Sequence, residues 1–69
     1  INPNLFTFFI QKEYFEDWDD EREGEWQICC ELKQAPGRGS IVIERFDMSS
    51  TTREEVIEEM ERIIIEGRL

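Results

Sequence analysis

The segment STTREEVIEEMERIIIEGRL, Ser50 to Leu69, constrains the fold more than any other part of the chain. Val56, Ile57, Met60, Ile63 and Ile64 recur at helical spacing and form one apolar stripe, with glutamates filling the positions between. Thr51 and Thr52 each precede a glutamate by three residues, which gives two overlapping capping boxes at its start. Glu54 and Glu55 suit the positive end of the helix dipole, and Arg62 and Arg68 the negative end. Gly67 is placed to end the helix in the left-handed conformation. Such a stripe must be buried against something, and the rest of the chain has to supply the surface.

EWQICCELK, Glu25 to Lys33, supplies it by strict alternation. Trp26, Ile28, Cys30 and Leu32 face one way, and Glu25, Gln27, Cys29, Glu31 and Lys33 the other. That is the pattern of a half-buried antiparallel strand. The face with Trp26, Ile28 and Leu32 is the expected seat of the helix. LFTFFIQKEYF, Leu5 to Phe15, is rich in aromatic and β-branched residues, with Phe6, Phe8 and Ile10 on one side and Leu5, Phe9 and Phe15 on the other. Apolar groups on both sides predict a central strand, or one covered by a partner. Pro36-Gly37 suits the centre of a type II turn. SIVIERFDM follows as a third strand, whose alternation breaks between Glu44 and Phe46 and predicts a bulge near Arg45.

The expected fold is therefore α+β, a three-stranded antiparallel sheet with one C-terminal helix packed on it, in the order β-β-β-α. With 69 residues it forms a single domain, 1–69, in which a small core leaves little material for an enclosed active site.

Charge narrows the function. Seventeen acidic residues against eight basic ones give a net charge of −9, opposite to the footprint that nucleic acid or an anionic membrane surface requires. No apolar run is long enough to span a bilayer, and the opening INPNLFTFFIQ has no basic region or cleavage site of a secretory signal. The two cysteines, Cys29 and Cys30, are adjacent, so a bridge between them would distort the strand. As free thiols they fit a reducing, cytoplasmic setting. With no histidine in the chain, zinc is not expected, nor is any cofactor.

The densest charge is EDWDDEREGEW, Glu16 to Trp26, with seven carboxylates around two tryptophans. Aligned to the calcium-loop pattern from Asp17, the sixth position is Arg22 where glycine is needed and the twelfth is Ile28, so the metal motif fails. Catalysis needs carboxylates in unlike environments or a nucleophile with a base, and neither pattern is present. A solvated hairpin tip explains the charge by itself, but Trp18 among Asp17, Asp19 and Asp20 has the composition of an interface anchor ringed by charge. Asp17, Trp18, Asp19, Asp20, Glu21 and Glu23 are therefore candidate partner-binding residues. Glu58 and Glu61 join them from the acidic exterior formed by Glu54, Glu55, Glu58, Glu59, Glu61 and Glu66, where Glu58–Arg62 is the expected ion pair.

The order of elements resembles the small sheet domain of HicB-type antitoxins. EGEW (Glu23 to Trp26), Pro36-Gly37 and TREEVIEEM (Thr52 to Met60) are similar in kind and order to that family's strand entry, turn and helix start. The resemblance implies neutralisation of a small basic toxin by direct binding. The function expected from the sequence is a non-enzymatic, acidic protein-binding module, inhibitor or antitoxin-like, engaging a basic protein, for which a nucleic-acid-handling protein is one fitting class. A structural homo-oligomerisation module, a homodimer in the simplest case, is the alternative.

Overall fold

A computed structural model describes residues 3–16 and 22–67. A short 3-10 turn, Pro3–Leu5, leads into β1 (Phe6–Glu16), followed by β2 (Arg22–Leu32), β3 (Ile41–Asp47) and α1 (Arg53–Glu66). The sheet is antiparallel in the order β1-β2-β3, so the architecture is the expected α+β one. β2 is the central strand. β1 lies at an edge and not in the middle, which corrects the expectation of a central strand and leaves the other one, a strand covered by a partner.

The long hairpin is in continuous register from Phe6↔Leu32 to Glu16↔Arg22. Cross-strand partners share a face, so Phe6, Phe8, Ile10 and Lys12 stand beside Leu32, Cys30, Ile28 and Trp26 on the helix side. Gly24 faces Tyr14 in this ladder, and a Cβ there would meet the Glu13 carbonyl oxygen at 2.6 Å, so the hairpin needs a glycine at that position. Beyond Leu32 the chain turns at Ala35–Arg38, where Arg38 N–H donates to the Ala35 carbonyl at 3.3 Å. Gly37 adopts φ 84°, as the third position of a type II turn requires.

β3 pairs with β2 from Glu25↔Asp47 to Ile28↔Glu44, and the register then slips by one, to Cys29↔Val42 and Cys30↔Ile41. The inserted residue is Ile43, two positions before the Arg45 break suggested by sequence. The bulge has a use: Ile43 joins the helix-side core although Phe46 is already in phase with it.

Thr52 caps α1. Its hydroxyl accepts from Glu55 N–H at 3.2 Å, while the Glu55 carboxylate accepts from Thr52 N–H at 3.2 Å, a complete capping box. Thr51, the other candidate, instead uses its carbonyl to accept from Trp26 Nε1 at 3.1 Å. Gly67 closes the helix with φ 64° and donates its N–H to the Ile63 carbonyl. Arg68 lies outside the described residues.

Val56 and Ile63 are the points of the stripe driven fully into the sheet, where they meet Trp26 and Ile28. Ile10, Ile43, Phe46, Met48 and Met60 pack around them. Burial of an aliphatic side chain of this kind contributes roughly 1.5–3 kcal/mol. Leu32, expected in this seat, is instead 48% exposed, because the core is centred on Trp26 and Ile28, toward the other end of β2. Lys12 also lies on the helix side, with its ammonium 4.9 Å from the Trp26 ring.

Among the described residues, the opposite face of the sheet has no helix. Phe9, Cys29 and Val42 lie in register across the three strands there, with Cys29 fully buried between half-buried neighbours. Next to them runs a polar chain. Gln11 Nε2 donates to Gln27 Oε1 at 2.6 Å, Gln27 Nε2 donates to Glu25 Oε2 at 3.0 Å, and Arg45 Nε meets the same carboxylate at 2.9 Å. This network satisfies the amide of Gln27, the buried polar residue of the core.

Candidate functional site

The helix exterior carries a defined acidic surface. Successive residues advance by about 100° around an α-helix, so Glu54, Glu58, Glu61 and Ile65, at spacings of four, seven and eleven, fall in one narrow stripe. It lies on the side of α1 opposite Val56 and Ile63. All four side chains are exposed, Ile65 at 83%. Among the described residues none of the three glutamates has a cation within 4 Å. The expected Glu58–Arg62 pair does not form. Arg62 Nη1 approaches Glu59 at 3.9 Å, one turn position nearer, and Glu59 is the more sheltered of the two carboxylates. That leaves Glu58 and Glu61 directed to solvent as a pair of unneutralised charges.

Of the other sequence candidates, Asp17, Trp18, Asp19, Asp20 and Glu21 lie outside the described residues. Glu23 stands in β2, in register with Phe15 near the end of the hairpin. The structure therefore brings Glu58 and Glu61 together on one surface and adds Glu54 and Ile65 to them. Ile65 is the residue that sequence reasoning missed. Its signal was present: in the run Ile63-Ile64-Ile65 the third isoleucine falls out of phase with the apolar stripe.

A second surface lies at the far end of the sheet. Phe6, Cys30, Leu32, Ala35 and Ile41 line an apolar hollow of about 470 Å³, rimmed by Arg38 and Ser40. Ile41 is 64% exposed there.

The titrating groups are few. Burial pushes the Cys29 thiol above its usual value, the adjacent Cys30 adds to this, and Arg45 partly opposes it. Burial raises Cys30 as well. Both thiols are free. Asp47 is held below the usual carboxylate value because its Oδ1 accepts from the Ser49 N–H at 2.9 Å and the Ser49 hydroxyl at 2.8 Å, which outweighs its slight desolvation. This local turn leads from β3 to α1, a structural task. Among the described residues no cluster of three or more His, Cys, Asp or Glu is arranged to hold a metal ion, and no helix is long and apolar enough to cross a membrane.

Comparison with protein-family models, with curated proteins and with solved structures returns no match.

Proposed function

We propose that the chain is a non-enzymatic, acidic protein-binding module, of the inhibitor or antitoxin-like kind, whose partner is a basic protein, with nucleic-acid-handling proteins one class that fits. The observation that supports this reading is the exposed stripe Glu54, Glu58, Glu61 and Ile65. Three carboxylates without neutralising partners among the described residues attract a basic surface over distance and speed the encounter. An exposed isoleucine at the end of the same stripe offers the apolar contact that charge alone lacks. A nucleic-acid-handling protein has such a basic surface because it must neutralise phosphates.

The test is capture from source-cell lysate at low and raised salt, with the bound proteins identified by mass spectrometry. A basic protein held at low salt and released at high salt is the expected result. The variant Glu58→Lys/Glu61→Lys should lose it at both salts, and Ile65→Ser should weaken it without lowering the melting temperature. Capture indifferent to salt and to the charge reversal would overturn the reading.

A further inference from the structure

β1 forms one edge of the sheet. Lys33 N–H donates to the Leu5 carbonyl at 3.0 Å, which makes Leu5–Lys33 a hydrogen-bonded pair of the hairpin. Hydrogen-bonded and non-hydrogen-bonded pairs alternate along an antiparallel ladder. Odd-numbered residues of β1 therefore turn their backbone groups to β2. The even-numbered ones, Phe6, Phe8, Ile10, Lys12 and Tyr14, turn theirs outward, where the sheet has no further strand among the described residues. This edge is eleven residues long, with no bulge and no proline. The other edge, on β3, is shorter and is broken at Ile43.

We propose that β1 pairs antiparallel with β1 of a second copy, about a two-fold axis at Ile10, to give a continuous six-stranded sheet. Three observations select this occupant and this register. First, Tyr14 at one end of the strand is 54% exposed on the helix side, and Phe6 at the other end borders the apolar hollow on the same side. Pairing about Ile10 sets each Tyr14 opposite the Phe6 of its neighbour, so the exposed ring and the apolar rim cover one another at both ends.

Second, the charges permit it. Leu5 to Gln11 carries no charge, and Lys12, Glu13 and Glu16 are confined to the later half of β1. Antiparallel pairing about Ile10 puts Lys12 opposite Phe8 and Glu13 opposite Thr7, so no like charges meet. The two Glu13 residues are displaced by six positions, about 20 Å along the sheet, well beyond the screening length of about 8 Å at physiological salt. Two chains of net charge −9 can thus associate without opposing their strand carboxylates.

Third, the two-fold axis keeps both helices on one face of the sheet. α1 lies over β1 and β2. With strands about 4.8 Å apart, the two helices would stand about 10 Å apart across the axis, the spacing at which helices pack. Ile57 and Ile64 remain half-buried within one chain and lie outside its core cluster.

The test combines mass and cross-linking on the full chain. Light scattering coupled to size exclusion should give twice the chain mass, and raised salt should not reduce it. The double variant Thr7→Cys/Glu13→Cys should form a covalent dimer on mild oxidation, because these positions become directly opposed between copies at a disulfide-compatible distance of about 4.5 Å. Thr7→Cys alone should not. Lys12→Pro removes an outward N–H and the ammonium beside the Trp26 ring, but no hydrogen bond of the β1–β2 ladder, so it should remain folded by circular dichroism and become monomeric. A monomeric native chain at all concentrations, or a folded Lys12→Pro that stays dimeric, would overturn the proposal. A dimer that fails to cross-link in the double variant would overturn the register. If the chain is monomeric but binds a separate extended peptide along β1, the edge serves another protein's strand and the second copy is excluded. Neither salt-sensitive capture of a basic protein nor its absence bears on these results.

Discussion

Trp26 reaches from the middle strand to donate its indole N–H to the carbonyl of Thr51 at 3.1 Å, the residue before the helix cap. One side chain thus both fills the core and fixes where the helix begins. Trp26→Phe keeps most of the apolar contact and removes the donor, leaving a partly buried carbonyl to find another partner. The expected cost is about 1–2 kcal/mol, with the melting temperature lower by about 4–8 °C for each kcal/mol in a domain of this size. Thermal and urea unfolding followed by circular dichroism measure it. An unchanged midpoint would mean the bond is not maintained in solution.

Adjacent threonines should behave differently. Thr52→Ala removes the hydroxyl that caps α1 and the reciprocal bond to Glu55, for an expected loss of about 1 kcal/mol. Thr51 contributes its backbone carbonyl to Trp26, so Thr51→Ala should change stability by less than about 0.5 kcal/mol. Equal effects from the two variants in urea melts would contradict the assignment of the cap to Thr52.

The thiols make a prediction with a definite sign. Cys29 and Cys30 are raised above the usual 9.0, chiefly by burial, so the folded chain holds these protons more firmly than the unfolded one. Stability should therefore be insensitive to this pair below about pH 8 and fall as pH rises past 9, where the unfolded state gains by ionising. A thiol reagent such as DTNB should react slowly with the native chain at neutral pH and at once in denaturant. Fast native labelling would show that the sheet opens around Cys29.

Much of the fold was legible because its local rules agree with one another. The helix stripe, its threonine cap, the terminal glycine, the Pro36-Gly37 turn and the alternation around Trp26 and Ile28 are each fixed by near neighbours in sequence. The position of β1 was not, because an apolar face on each side of a strand has two physical causes. A strand between two others has one, and so does an edge strand whose outer face shares a small patch with the middle strand, as Phe9 does with Cys29 and Val42. The exposure of Leu32 was hidden for a related reason. Alternation tells which face a residue is on, but the helix covers only part of that face.

The candidate surface was legible in part. Glu58 and Glu61 were recognisable as exterior positions, but their isolation depends on Arg62 turning to Glu59 and not to Glu58. That choice lies in side-chain geometry, which spacing cannot resolve. Ile65 was left out of the apolar stripe by its spacing but was not assigned to the acidic exterior, because that face was read from its charges alone.

The slip at Ile43 has a consequence for how far any assembly of these chains extends. A sheet with two straight edges can add copies at both sides without limit, the route to fibres. Here the inserted isoleucine bends β3 and spoils its outer ladder, leaving β1 as the sole regular margin among the described strands. A chain with one usable margin can join only one neighbour through it, and growth stops at the pair. The residue that completes the core on the inside thereby acts as a terminator on the outside.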